Sequence, residues 1–172
     1  MSTLKVDTIQ GKTTAGTVAM PSGMILETLQ MTHTTYVNTA SSSYISSGLT
    51  LAITPKFSSS KILVSVHAVG LAVYDSGNNG VKLETSIERA ISGGATSTIA
   101  TYGRHCHGTT SSNQYLGVSH TPFFLDSPST TSAVTYTYKI RSRTGHSEVR
   151  MNDYHDTDTP PSSTLTLMEI KQ

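Results

Sequence analysis

Apolar and polar residues alternate with a period of two along most of this chain, the signature of strands with one buried face. Leu49, Leu51 and Ile53 alternate with Thr50, Ala52 and Thr54, and Pro55 stops the run. In Lys61–Ala68, Ile62, Val64 and Val66 share a face; this is the most apolar strand and the expected centre of the core. Val81, Leu83, Thr85 and Ile87 face away from Lys82, Glu84, Ser86 and Glu88, whereas helical spacing would scatter those apolar positions around a cylinder. Val134, Tyr136, Tyr138 and Ile140 predict a long strand, and Val149 with Met151 a short one. Leu165 and Leu167 alternate with Thr164, Thr166 and Met168 almost to the last residue.

Weaker signals fill the remainder. Met24–Met31 reads as a strand with Met24, Leu26, Thr28 and Gln30 on one face and Ile25, Glu27 and Leu29 on the other. Ile99–Tyr102 and Tyr115–Val118 are less regular, and Pro122–Asp126 has the densest aromatic content. Turn signals separate the runs: Ser41-Ser42-Ser43, Asp75–Gly80 with its Gly and Asn, Ser92-Gly93-Gly94, and Pro160-Pro161. Many short strands without a helix predict an all-β fold, an antiparallel jelly-roll-like β-sandwich over residues 23–172. The absence of an internal repeat argues against a solenoid. Residues 1–22 differ. Leu4, Val6 and Ile9 lie scattered in Thr, Lys and Gly, too few for a core of their own, and Pro21 and Gly23 then punctuate the chain. This segment is expected to be an N-terminal anchoring arm that becomes ordered against a neighbour.

Composition strengthens the β reading. Hydrophobic residues make up 35% and charged residues 13% of 172, with no Trp. Typical domains hold about 45–50% apolar residues, counting Gly, and about 25% charged. Ser and Thr fill the gap, and Thr suits a pleated surface. A net charge of +1 offers no electrostatic case for nucleic acid. Lys139, Arg141 and Arg143 share one strand face, which is expected to be a solvated outer surface. A single cysteine permits no internal disulfide. The first residues do not form a signal peptide, and no apolar run approaches the ~18 residues of a membrane span, so synthesis in a cytoplasm without membrane insertion is expected.

Three places bear on chemistry. On a strand, His105 and His107 would project to one face as two ligands of a metal, and three copies about an axis would offer six imidazoles. Gly103 and Gly108 flank them, however, as in an exposed polar loop, and no metal is assigned. Cys106 has no identifiable base or orienting partner to make it a nucleophile. Asp153, Asp156 and Asp158 are concentrated enough for Ca²⁺ but lack the central Gly and terminal Glu of the usual calcium loop. Tyr115 and Tyr154 are candidates for surface contacts, with Tyr102 in the same set, while Tyr136 and Tyr138 belong to a core face. There is no phosphate-cradling loop, nucleophile elbow or Cys/His zinc spacing. No catalytic, cofactor or metal residue is therefore assigned, and the chain is expected not to be an enzyme.

Several segments look like parts of one family. Ser2-Thr3-Leu4-Lys5-Val6-Asp7-Thr8-Ile9-Gln10 with Pro21-Ser22-Gly23-Met24 resembles the start of many virion proteins from marine phages of the cyanophage and pelagiphage type. Ile53-Thr54-Pro55 with Ser58-Ser59-Ser60-Lys61-Ile62-Leu63-Val64 resembles a segment of their fibre-like proteins. Phe124-Leu125-Asp126-Ser127-Pro128, followed by Tyr136 and Tyr138, fits the same pattern, as does Ser163–Ile170. The resemblance implies a virion component made in the infected bacterium, often a homotrimer and a tail fibre or appendage subunit. Residues 1–22 would then join other virion proteins, and the knob's loops would contact a host-surface glycan or protein. A capsid decoration (cement) protein or a tail adaptor-associated protein would use the same features. The resemblance transfers no functional residues.

Overall fold

The computed structural model describes residues 21–75, 82–103, 114–143, 148–153 and 161–172. Among them eleven strands form two antiparallel sheets: β1 (Ile25–His33), β2 (Val37–Thr39), β3 (Ile45–Ile53), β4 (Lys61–Asp75), β5 (Leu83–Ile91), β6 (Thr96–Tyr102), β7 (Gln114–His120), β8 (Phe123–Asp126), β9 (Val134–Ser142), β10 (Glu148–Met151) and β11 (Ser163–Ile170). The smaller sheet runs β3-β9-β5-β6, and the larger runs β1-β11-β4-β10-β2 with β7 and β8 also paired to β4. The chain is an all-β sandwich, and its strand order is compatible with a jelly roll.

β4 organises the larger sheet. Its first half lies between β11 and β8, and its second half between β10 and β7. The halves meet at a bulge beside Gly70, where φ is +56° and the β4–β7 register shifts. Asn152 and Asp153 donate backbone hydrogen bonds to the carbonyls of Val69 and Gly70 there. A Cβ on Gly70 would come within 2.7 Å of the backbone N and O of Asp153. The sequence pattern expects only the first half of this strand, because the bulge breaks its alternation.

Between the sheets, Ile62, Val64 and Val66 of β4 and Leu165 and Leu167 of β11 meet Leu49, Ile87, Tyr136, Tyr138 and Ile140 of the smaller sheet, all nearly inaccessible. These are the alternating positions of the sequence, and their removal from water is the dominant stabilising term. Two faces differ from the expected pattern. A register shift between Ile25 and Glu27 rephases β1, so that Leu29 and Met31 pack on the core while Thr28 and Gln30 face out. In β5, Glu84 and Ser86 are buried although they lie on the outer face, because β5 is an inner strand and Arg141 and Arg143 fold over Glu84.

Candidate functional site

Polar side chains of the described residues gather in several places, four of which bear on a candidate site. The first joins the sheets. Arg89 of β5 donates from Nη1 to both carboxylate oxygens of Asp126 on β8, at 2.9 and 3.0 Å, and the Tyr136 hydroxyl donates to Oδ2 at 2.7 Å. Asp126 and Tyr136 are buried. Burial, and then the hydrogen bond to Asp126, hold the Tyr136 phenol far above its ordinary pKa, so it stays a neutral donor.

A second inter-sheet contact centres on His120 of β7. Its Nδ1 lies 2.8 Å from the Tyr138 hydroxyl and 3.4 Å from Thr85 Oγ1, and Tyr102 meets the imidazole edge-on at 5.1 Å between ring centres. Burial raises the pKa of both Tyr138 and Tyr102. The cluster is an imidazole among protonated hydroxyls that bridges β7 to the smaller sheet.

The third cluster ties loops to strands. Glu169, wholly buried, accepts from the backbone N of Lys56 and from Ser60 Oγ, both at 2.7 Å. Asn152, at φ +55°, donates to the carbonyls of His33 and Thr35 and accepts from Ser163 Oγ, which in turn accepts from the backbone N of Val69. Asn tolerates this left-handed conformation better than most residues.

The fourth place is the outer face of the smaller sheet. Arg141 and Arg143 both pair with Glu84, Lys139 pairs with Glu88 at 2.6 Å, and the Arg141 guanidinium lies over the Tyr44 ring at 4.4 Å. The expected basic strand face is thus a set of cross-strand ion pairs, with its cations already engaged.

His105, Cys106, His107, Tyr154, Asp156 and Asp158 lie outside the described residues, as does the side chain of Tyr115. Asp153 pairs with Arg150 at 3.1 Å. Tyr136 and Tyr138 are core residues, and each also serves a polar contact, which alternation does not reveal. Among the described residues no three His, Cys, Asp or Glu side chains are grouped to hold a metal. The polar clusters pair acceptors with donors across strands. Their evident role is to fix register and layer spacing.

The outer face of the larger sheet is different. Phe123 and Leu125 of β8 are 76% and 48% exposed, and Ile25 of β1 is 53% exposed. In the register, Leu63 lies between Leu125 and Met168, and Ile170 lies beside Ile25. These six side chains form an apolar diagonal across four strands, from the start of β1 to β8.

No family model matches the chain, and no curated protein matches it either. Among solved structures, that of infectious bursal disease virus, Gx strain, is similar over 98% of this chain at 11% identity with a TM-score of 0.31. The Gt strain of the same virus is similar over 95% at 10% identity, again with a TM-score of 0.31. This chain spans about two fifths of the length of those chains, 42% and 41%. A likeness of this size says nothing of function.

Proposed function

We propose that this chain is a structural component of a bacteriophage virion, a homotrimeric fibre or appendage subunit without enzymatic activity. One observation carries the reading. Three of the segments that resemble marine-phage virion proteins are neighbours in the fold: Leu63 is the register partner of both Leu125 and Met168. The same segments share their polar contacts, since Ser60 bonds to Glu169 and Tyr136 to Asp126. Their co-occurrence in sequence therefore has a physical basis as one framework, which supports a shared architecture. In this reading residues 1–22 join other virion proteins, and the loops at the ends of the sandwich contact the host surface. Repeated weak contacts by three knobs would then add through multivalency.

Light scattering on the full-length protein, with antibody labelling of particles of the encoding phage, tests this. The expected results are a mass three times 18.3 kDa and label on a fibre or appendage. A monomer overturns the trimer. Label confined to the head surface replaces the fibre with a decoration protein, and unlabelled particles overturn the virion role.

A further inference from the structure

We propose that the outer face of the larger sheet is where copies of this chain meet, with the apolar diagonal of one copy packed against its neighbour. The inference rests on the trimer proposed for this chain and names the surface that builds it. Its first support is exposure. Phe123 and Leu125 keep 76% and 48% of their surface in water, and they sit on β8, a four-residue strand paired to β4. The solvated face of an antiparallel sheet ordinarily carries polar residues at such positions. An apolar strip that continues through Leu63 and Met168 to Ile25 marks a surface that is covered in use.

The second support is area. β1, β11, β4 and β8 lie side by side, and the paired stretch of β1 runs from Ile25 to His33. At about 4.8 Å between strands and about 3.3 Å per residue, the footprint is about 20 by 25 Å, or about 500 Å² before side-chain relief is counted. The smallest specific interfaces take about 500 Å² of accessible surface from each partner and standard ones about 800 Å². The face is therefore large enough for a subunit contact.

Charge selects a second copy as the occupant. Of the outward side chains in the cross-strand rows from Ile25, Ile170 and Lys61 to Thr32, Thr164 and His67, only Lys61 carries a formal charge. The outer face of the smaller sheet instead carries Glu84, Glu88, Lys139, Arg141 and Arg143. Copies that turn one face toward a common axis set like groups near like, which is costly for charged groups and not for neutral ones. Anionic membranes and nucleic acid are held by Lys and Arg, of which this face has one.

Sedimentation of the full-length protein tests the surface. The parent and Lys139→Ser, which alters the outer face of the other sheet, are expected to form trimers of three times 18.3 kDa at the same concentrations. Phe123→Ser with Leu125→Ser keeps the circular dichroism of the parent. It raises the concentration for half-assembly about a hundredfold, because each buried large apolar side chain carries about a factor of ten or more. Thr28→Glu with Gln30→Glu sets repelling charges on the same face and stands in if the first variant fails to fold. A trimer that withstands both pairs of substitutions overturns the surface and leaves the trimer intact. Dissociation of Lys139→Ser as well overturns the assignment to this face. A monomeric parent overturns the trimer itself, and the inference with it.

Discussion

The Tyr136 hydroxyl reaches across the sandwich to donate a 2.7 Å hydrogen bond to Asp126, linking a central strand of the smaller sheet to β8 of the larger. Arg89 completes the contact by donating from Nη1 to both oxygens of the same carboxylate. A buried ion pair adds little over a well-packed apolar replacement, but removing one partner leaves the other charge poorly solvated.

Asp126→Ala therefore costs about 3 kcal/mol, at the low end for broken buried pairs because Arg89 keeps 21% of its side chain exposed. Tyr136→Phe removes one hydrogen bond to a charged acceptor and costs about 1.5 kcal/mol. Urea unfolding of both variants gives the comparison. A loss below about 1 kcal/mol for Asp126→Ala would mean that the contact does not hold the sheets together.

Tyrosine ionisation opposes folding. Burial is the largest cause of the raised pKa at Tyr36, Tyr44, Tyr102, Tyr136 and Tyr138. In the unfolded chain these phenols ionise near about pH 10, while in the folded chain they remain protonated above it. Their contribution to stability is thus complete below about pH 10 and is lost as pH rises through the folded values. Tyrosinate absorbance should rise steeply only as the near-ultraviolet circular dichroism collapses. A titration near pH 10 accounting for all eight tyrosines with structure intact would contradict this burial.

Much of this fold is legible in the sequence, and what is not has physical reasons. Val134–Ile140 alternates cleanly because β9 has one core face and one polar face, and the structure keeps that phase. Glu84 reads as a solvated position, since alternation cannot say that Arg141, 57 residues away, will lie over it. Val37–Thr39 is too short to show a period, and the bulges in β1 and β4 shift the phase where simple alternation would continue. The polar contacts are the least legible part: Arg89 and Asp126 are 37 residues apart, and Lys56 and Glu169 are 113. Such pairings depend on which strands become neighbours, a property of topology that no local window contains.

Gly70→Ala tests the junction in β4. The left-handed conformation costs an L-residue about 1–2 kcal/mol, and here the new methyl also meets the Asp153 backbone, which has little freedom to move. The total loss should exceed about 2 kcal/mol, with hydrogen exchange rising first in β10 and the second half of β4. A variant as stable as the parent would show that β10 is not held at this point.

Glu169 separates two roles of one side chain. Its Oε1 accepts from Lys56 N and Ser60 Oγ, whereas Oε2 finds no hydrogen-bond partner among the described residues. Glu169→Gln keeps the useful acceptor and removes the need to bury a charge, so its stability should equal or exceed that of the parent. Glu169→Ala leaves the Lys56 amide and the Ser60 hydroxyl without their acceptor and opens a small void, costing about 2–3 kcal/mol. Thermal unfolding at neutral pH orders the three proteins. If Gln were as damaging as Ala, the charge itself would be required at this position.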